Sequence, residues 1–288
     1  QQMKRKLVIV TGPTAVGKTD CSISLALKYG SPVISCDSRQ IYREMAIGTA
    51  VPDASQLAAV KHYFIQCRSV TENYTAGDYE IEAVPLIESL FSEGHEVLVM
   101  SGGSGFYVNA ICNGLDALPD ADPVRRAELT ARLAEEGVES LAEELKRLDP
   151  VSWAAIDIRN GHRVVRALEV FLQTGKPFVS FRLTEPKPRS FDIEKICLTR
   201  PREELYDRID RRVLKMMDDG LVDEVRSLSG FRDLPALRTV GYREIFDCLD
   251  GNIPLDEAIR LIQRNTRHYA KKQLTWWKRD PAVRWVEL

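Results

Sequence analysis

Gly12-Pro13-Thr14-Ala15-Val16-Gly17-Lys18-Thr19 is the stretch that decides the fold. It matches the pattern G-x-x-x-x-G-K-[ST], follows the apolar run 7–10 and precedes an amphipathic segment at 21–29. A strand, a glycine-framed loop and a helix in this order are typical of a phosphate-binding loop, in which backbone N–H groups and the helix start face an oxyanion. Lys18 would reach the phosphate oxygens, and Thr19 would offer its hydroxyl to Mg²⁺. The ligand is therefore expected to carry a di- or triphosphate.

Composition limits the class of protein. The chain has 288 residues, 44% of them hydrophobic, so it can form one domain with an insertion, or two domains. The net charge is −2, so any nucleic-acid surface must be local. Six cysteines lie far apart without a C-x-x-C pair, which disfavours a zinc site or a disulfide framework and is typical of the reducing cytoplasm. No apolar stretch reaches the length of a membrane span, so no membrane partner is expected.

The apolar stretch 32–36 predicts a second strand, and Asp37-Ser38-Arg39-Gln40 follows it. Ligands of open α/β sheets bind at the carboxyl ends of strands, so Asp37 is expected at the same edge as the phosphate-binding loop. Its carboxylate could take a proton from a nucleophile or hold Mg²⁺ through water. The alternative is a helix N-cap, but the neighbouring Arg39 and Gln40 favour a ligand site.

A further strand, 97–100, ends at Ser101-Gly102-Gly103-Ser104-Gly105. ATPases and GTPases usually end this strand in an acidic residue that orders Mg²⁺ for attack by water. Here the backbone and the Ser104 hydroxyl could receive a substrate instead. The alternative is that these glycines only permit a tight turn.

The region 118–190 differs in sequence pattern from the rest of the chain, because prolines frame it and apolar residues recur at helical spacing within it. We predict helices at 128–148 and 163–170, with Arg163 and Arg166 on one face of the second. These arginines either contact a polyanion or form ordinary surface ion pairs. The prediction is an α/β protein whose P-loop NTPase-like parallel sheet core, 1–117 and 191–288, carries a helical insertion domain.

Basic residues cluster in the last third of the chain. Arg208 and Arg212 are one turn apart in a predicted helix at 203–219, a spacing suited to a pyrophosphate. The predicted last helix, 255–278, carries cations at helical intervals and no acid between Glu257 and Asp280. This stripe indicates a local polyanion footprint, with a solvated helix face as the alternative.

Three function classes fit these residues. The first is a P-loop kinase that phosphorylates a small metabolite with ATP, with Asp37 as base. The second is a nucleotide-binding switch or motor, which the absence of an acid after Met100 disfavours. The third is a transferase whose donor is a pyrophosphate and whose acceptor is nucleic acid. The basic stripe and the helical insertion favour the third over the first.

Six stretches, in order along nearly the whole chain, resemble the bacterial tRNA dimethylallyltransferases. The Asp37 and C-terminal stretches together make the resemblance specific. The six are GPTAVGKT at 12–19, DSRQIYREMAIGTA at 37–50, GGSGFY at 102–107, NGHRVVRALEVFLQTGKPFVS at 160–180, LYDRIDRRVLKMMDDGLVDE at 205–224 and TRHYAKKQLTWWK at 266–278.

This resemblance implies transfer of a dimethylallyl group from dimethylallyl diphosphate, with Mg²⁺, to N6 of the adenine just 3′ of the tRNA anticodon. The phosphate-binding loop would hold the prenyl diphosphate rather than ATP, although the fold retains a nucleotide-binding motif. Asp37 would be the base, Ser104 would position the adenine and the donor, and Lys18 and Arg212 would stabilise the departing pyrophosphate. The protein is expected to act as a monomer in the cytoplasm.

The resemblance also implies two sets of binding residues. The diphosphate set is Gly12, Pro13, Thr14, Ala15, Val16, Gly17, Lys18, Thr19 and Arg208, with Thr19 as the metal ligand. The set expected to bind the tRNA anticodon stem-loop is Asp37, Ser38, Arg39, Gln40, His162, Arg163, Arg166, Arg238, Gly241, Tyr242, Arg243, Arg264, Arg267, Lys271, Lys272, Gln273, Trp276 and Lys278. Two residues depart from the family pattern: Ser104 stands where Thr is usual, and Trp277 where a smaller aromatic residue or Leu is usual.

Overall fold

The computed structural model describes residues 4–288. In this part of the chain six strands form one sheet in the order β3-β2-β4-β1-β5-β6, and every neighbouring pair is parallel. The strands are β1 Lys6–Thr11, β2 Val33–Ser35, β3 His62–Tyr63, β4 Val97–Ser101, β5 Asp192–Thr199 and β6 Val283–Glu287. The α/β class and the parallel core are confirmed.

Twelve α-helices connect or follow the strands within residues 4–288. They are α1 Lys18–Tyr29, α2 Ala54–Ala59, α3 Ala76–Ser92, α4 Gly105–Cys112, α5 Pro123–Glu136, α6 Val138–Leu148, α7 Pro150–Ala155, α8 Gly161–Thr174, α9 Arg202–Asp218, α10 Leu221–Ser227, α11 Tyr242–Leu249 and α12 Leu255–Lys278. Short 3-10 turns occur at Phe178–Phe181, Ser229–Phe231 and Pro235–Leu237.

The central strand β1 explains why the candidate residues meet at one edge. Its side chains alternate between two apolar clusters, with Leu7 and Ile9 in one and Val8 and Val10 in the other, so helices cover both faces of the sheet. Its carboxyl end lies in register with the ends of its neighbours, since Val10 pairs with Ser101. Ser101 in turn pairs with Ser35 of β2. The loops after β1, β2 and β4 therefore leave the sheet side by side.

The chain packs as two units, each with its own core. One comprises the sheet with its helices, up to Asn113 and again from Lys187. The other is Gly114–Pro186, which contains α5 to α8. Its core includes Leu129, Leu141 and Leu168, all buried. This unit is therefore built from helices whose apolar residues recur at helical spacing.

Two secondary-structure predictions need correction, and one strand was missed. The helix predicted over 128–148 is wrong, because Gly137 takes a φ of 85° and separates α5 from α6. The stretch 61–65 predicts a third strand, of which only His62–Tyr63 forms β3. The edge strand β6 was not predicted at all. Within residues 4–288, no helix is both long and apolar enough to cross a membrane.

Candidate active site

The phosphate-binding loop, residues 12–19, runs from the end of β1 into α1. Gly12 has a φ of +143°, and a Cβ there would lie 2.7 Å from the carbonyl oxygen of Leu198 on β5. Ala15 also takes a positive φ, 67°, which is uncommon for a residue with a side chain. Gly17 precedes the first helical residue and has a φ of 113°. The first glycine is thus required by both its backbone angle and its close neighbour.

Lys18 folds back over this loop. Its Nζ donates to the carbonyl oxygens of Gly12 and Pro13, at 3.0 and 2.9 Å. The pKa of Lys18 is lowered to about 8, chiefly by burial, with the charge of Asp37 opposing the shift and that of Arg212 adding to it. A buried cation with a lowered pKa is one that a bound anion would stabilise.

Two arginines of α9 also contact this loop. Arg208 Nε donates to the Ala15 carbonyl oxygen at 2.8 Å, and Arg212 Nη1 donates to Thr14 Oγ1 at 3.1 Å. The pKa of Arg212 is lowered, first by burial and then by the charge of Arg208. Both arginines of α9 therefore contact the phosphate-binding loop.

Arg200 is a further cation at this loop that the sequence did not single out. It follows β5, and its Nε donates to the Val16 carbonyl oxygen at 2.8 Å. Its guanidinium also pairs with Glu204 one turn later, at 2.6 Å. No motif marks it, and only its position directly after a core strand could have drawn attention to it.

Asp37 lies where the chain leaves β2. Its Oδ1 accepts hydrogen bonds from the backbone N–H groups of Arg39 and Gln40, at 2.9 and 3.2 Å. This is a turn capped by an aspartate, and no α-helix begins there. Because both bonds go to Oδ1, Oδ2 is the oxygen that can take a proton. Gly102 makes the arrangement possible, since a Cβ there would lie 2.5 Å from the carbonyl carbon of Cys36.

Ser104 is the N-cap of α4, where its Oγ accepts from the Tyr107 N–H at 3.5 Å. The hydroxyl that stands in place of threonine therefore sits at a helix start beside the end of β4. A Cβ at the next residue, Gly105, would clash with the indole of Trp276 on α12. Trp276 is partly exposed and packs edge-to-face against Phe106.

Gln273 has a place that the sequence did not predict. It was expected at the RNA surface, but its side chain is only 7% exposed. Its Oε1 accepts from the Thr14 N–H at 2.9 Å, and its Nε2 donates to the Gly103 carbonyl oxygen at 3.4 Å. Gln273 therefore joins the phosphate-binding loop to the turn after β4. Its spacing from the buried Ala270 and Trp277 on α12 was the signal available in the sequence.

The basic groups of α12 divide into paired and exposed ones. Arg267 pairs with Asp210 of α9 at 2.6 Å, and Arg260 pairs with Glu257 at 2.6 Å. The exposed cations of this helix that were predicted to bind RNA are Arg264, Lys271, Lys272 and Lys278. Together they keep a basic outer face, even though Asp210 of α9 and Glu257 of α12 itself neutralise two of the arginines.

A cavity of about 620 Å³ lies between α12 and the segment 238–247, which comprises the turn before α11 and part of that helix. Its lining includes Arg238, Arg243, Arg264 and Lys272, with the ring of Tyr269 beside them. Tyr242, from the same turn, is fully buried, so its side chain does not reach this surface. Gly241 is buried as well, with a φ of 96°. The lining also includes Glu244, Asp247 and His268, so the cavity combines four cations with two carboxylates and two aromatic rings.

The predicted RNA residues of the 114–186 unit also differ from one another. His162 and Arg163 are exposed in the first turn of α8. Arg166 instead lies 3.1 Å from the buried carboxylate of Glu169, which also pairs with Arg126 at 2.5 Å. Arg166 therefore pairs within its own unit, and because Glu169 is buried this is not the ordinary surface ion pair of the alternative interpretation.

The residues present fit a magnesium ion only in part. Among residues 4–288, no group of three or more His, Cys, Asp or Glu side chains could hold a metal by itself. The Thr19 hydroxyl in the first turn of α1 and the Asp37 carboxylate are two oxygen ligands that this edge offers. Mg²⁺ commonly takes only one or two protein ligands and completes its shell with phosphate and water, so this sparse set suits Mg²⁺ bound together with a diphosphate.

Comparison with known proteins decides the family. The family model described as IPP transferase matches residues 40–280. This chain belongs to the IPP transferase family. Its sequence is 50% identical over 279 residues to tRNA dimethylallyltransferase 2 of Porphyromonas gingivalis, with 97% of this chain and 93% of that protein covered. It is 48% identical over 279 residues to tRNA dimethylallyltransferase 1 of Bacteroides thetaiotaomicron, covering 97% and 90%.

A solved structure gives the same answer for this IPP transferase family member. The full-length tRNA isopentenylpyrophosphate transferase of Bacillus halodurans is 40% identical to it, with a TM-score of 0.72 and coverage of 99% of this chain and 90% of that one. The predicted family and the P-loop NTPase-like fold are thereby confirmed. The kinase alternative is not favoured, since these relatives are named as prenyl transferases.

Proposed function

We propose that this chain transfers a dimethylallyl group from dimethylallyl diphosphate to N6 of the adenine 3′-adjacent to the anticodon of tRNA, releasing pyrophosphate. The observation that carries the proposal is the meeting of Lys18, Arg212 and Asp37 at one sheet edge, where Asp37 acts on the pKa values of both cations. An anion site next to a carboxylate base is what this transfer needs. The names of the relatives, all tRNA dimethylallyltransferases, support the same reaction.

The donor's diphosphate is assigned to residues 12–19. When the allylic C–O bond breaks, negative charge gathers on the pyrophosphate, and the amides of this loop with Lys18 and Arg212 stabilise it. Arg208 contributes a second guanidinium one turn from Arg212. A bound Mg²⁺ would supply further positive charge there, with Thr19 and Asp37 as the oxygen donors at hand.

The acceptor's amine is assigned to the side of Asp37. N6 forms its new bond to the allylic carbon while it loses a proton, and Oδ2 of Asp37 receives that proton. Ser104, at the start of α4, is proposed to position the adenine and the donor. The adenine must leave the anticodon-loop stack to reach this edge, as enzymes that act on a base require.

The RNA surface of the sheet unit is proposed to be the cavity lined by Arg238, Arg243 and Arg264, together with the exposed cations of α12. Four exposed cations on one helix supply the sequence-independent attraction for phosphate, and the rings of Tyr269 and Trp276 offer stacking surfaces. Arg163 and His162 of α8 are proposed to add contacts from the helical unit. Ser38 and Arg39 are proposed to contact the RNA beside Asp37.

The test combines the protein, an anticodon stem-loop with three consecutive adenosines, and dimethylallyl diphosphate labelled in its prenyl carbons. The expected result is label on the RNA, with one pyrophosphate released per label transferred. A parallel reaction with γ-labelled ATP and no prenyl donor tests the kinase alternative. RNA that stays unlabelled in the reaction with the prenyl donor would overturn the proposal. Transfer of labelled phosphate from ATP to a small acceptor would support the kinase alternative instead.

The proposal extends to where and how the protein works. We place it in the cytoplasm, where tRNA is its substrate, and we propose that one chain suffices for activity. Size-exclusion chromatography with light scattering at the enzyme concentration of the assay tests the second point. A single-chain mass is expected.

A further inference from the structure

Glu224, at α10, binds a loop that comes from a distant part of the sequence. Its Oε1 accepts from the N–H groups of Ala46 and Ile47, each at 2.9 Å. Its Oε2 accepts from the Gly48 N–H at 3.0 Å and from the Tyr242 hydroxyl at 2.8 Å. We call this arrangement the Glu224 nest: three successive backbone donors and one phenol around a single carboxylate. Successive amides of this kind form an anion-binding concavity, and here the anion belongs to the protein.

Tyr242 fixes the nest from the opposite side. Its ring is fully buried, and a Cβ on Gly48 would lie 2.5 Å from two of its ring carbons. Burial and the neighbouring Glu224 raise the pKa of Tyr242 far above its usual range, so its hydroxyl remains a donor. Only glycine at position 48 allows this ring to reach Glu224.

The nest is connected to the proposed catalytic base through Gln40. The Gln40 side chain donates from Nε2 to the carbonyl oxygens of Thr49 and Ala50, both at 3.1 Å. The backbone N–H of the same residue donates to Asp37 Oδ1. The loop between residues 38 and 50 is therefore closed on itself at the base and anchored to α10 at its far end.

We propose that Glu224, together with Tyr242, is a positioning residue that acts through Asp37 by holding the 38–50 loop in the shape that aims the carboxylate. This inference rests on the proposed function, because it assigns Asp37 the role of base. It also explains why Gln40 and Tyr242 carry polar side chains. Both are occupied within the loop and its anchor.

The test compares Glu224→Gln with Asp223→Asn in the stem-loop transfer assay. The glutamine keeps the shape, but its NH₂ group must face a backbone or phenol donor, so part of the nest is lost. We expect kcat to fall roughly 10- to 100-fold, as for a displaced catalytic group, with little change in KM for either substrate. Asp223 is the adjacent carboxylate, exposed and paired with Arg226, so its asparagine variant controls for the lost charge.

A double variant separates positioning from a general structural role. If Glu224 acts through Asp37, Glu224→Gln should reduce kcat far less in an Asp37→Asn background than in the wild type. An equal reduction in both backgrounds would overturn the inference, as would a Glu224→Gln variant with the kcat of Asp223→Asn. Tyr242→Phe removes one donor while keeping the ring, and it serves in the same cycle if Glu224→Gln does not fold. A failure of the proposed function itself would be visible separately, as absent transfer by the wild type.

Discussion

Two loops of this protein differ in the charge that surrounds them: the 46–48 loop binds a carboxylate of the chain itself, whereas the 12–19 loop is contacted by cations. In the Glu224 nest the carboxylate is part of the chain, and four donors already surround it. At the phosphate-binding loop the side chains that gather are cations, Arg200, Arg208, Arg212 and Lys18, and burial lowers the pKa of the last two. The first site has its own anion, whereas the second gathers positive charge that an anionic ligand would offset.

The difference indicates a division of labour. A loop that carries its own anion keeps one conformation whether or not substrate is bound, which suits the segment that aims a base. A loop surrounded by partly desolvated cations stores unfavourable charge that a diphosphate relieves, which suits binding and stabilisation of a leaving group. Asp37 is linked to both loops. Its Oδ1 accepts a hydrogen bond from the Gln40 N–H, and its charge raises the pKa of Lys18.

The largest expected effect is at this junction. Asp37→Asn should lower kcat by about 10²- to 10⁴-fold, the usual contribution of a general base. Binding of the stem-loop should change little, because the asparagine oxygen can still accept from Arg39 and Gln40 and preserve the turn. Single-turnover label transfer, with RNA binding measured by filter retention, provides both values. Unchanged turnover would remove Asp37 from the chemistry.

Removing a cation from the phosphate-binding loop should have the next largest effect. Lys18→Met should weaken pyrophosphate binding roughly 10- to 150-fold, corresponding to about 1.5–3 kcal/mol for a lost charged hydrogen bond. Lys28→Met, in the last turn of the same helix and exposed, is the matched control. Titration calorimetry with inorganic pyrophosphate measures both. Equal affinity in the two variants would contradict the assignment of the loop.

The pH dependence of this binding follows from the same lysine. With its pKa lowered to about 8, Lys18 is charged below that pH and loses its charge above it. Pyrophosphate affinity should therefore decrease by up to about 10-fold between pH 7 and pH 9, beyond any change due to the ligand. Lys18→Met reports the ligand's own titration, so the difference between the two profiles is the quantity to compare. Parallel profiles would show that Lys18 keeps its charge throughout.

The smallest effect concerns the exposed cations, which lie outside both anion sites. Replacing Arg264 and Lys271 by alanine should weaken stem-loop binding and reduce the slope of log K against log salt by about 0.7–0.9 for each phosphate that is no longer neutralised. Arg260→Ala is the control, since Arg260 is already paired with Glu257. If the control changes the slope as much as the double variant does, the stripe is a solvated helix face.

The sequence predicted what local patterns encode. The loop at 12–19, the strand before Asp37 and the basic helix 255–278 each follow from spacing within a short window, and the structure places them as expected. The bond between Thr14 and Gln273 joins residues 259 positions apart, and Glu224 reaches Ala46 across 178. No window contains both partners. Such contacts exist only once the parallel sheet has brought its strand ends together.

Partners from other elements also changed the expected roles of charged residues. Arg267 lies on the predicted stripe, but an acid from α9 neutralises it. Arg166 shares its helix face with Arg163, yet it pairs with a fully buried glutamate. A helical pattern assigns residues to a face, but it does not identify the element that packs against that face. Trp277 shows the same limit, since the unusual residue is a buried part of the core.

The central claim, that the phosphate-binding loop holds the donor's diphosphate, is tested most directly by a crystal structure with a stable donor analogue. Replacing the oxygen that joins the allylic carbon to phosphorus in dimethylallyl diphosphate by sulfur gives such an analogue. The account predicts the diphosphate oxygens within hydrogen-bonding distance of the 12–19 amides and Lys18 Nζ, with the allylic carbon on the Asp37 side. The account would be contradicted if the analogue were ordered elsewhere in the structure and if inorganic pyrophosphate, tested separately, did not bind at residues 12–19.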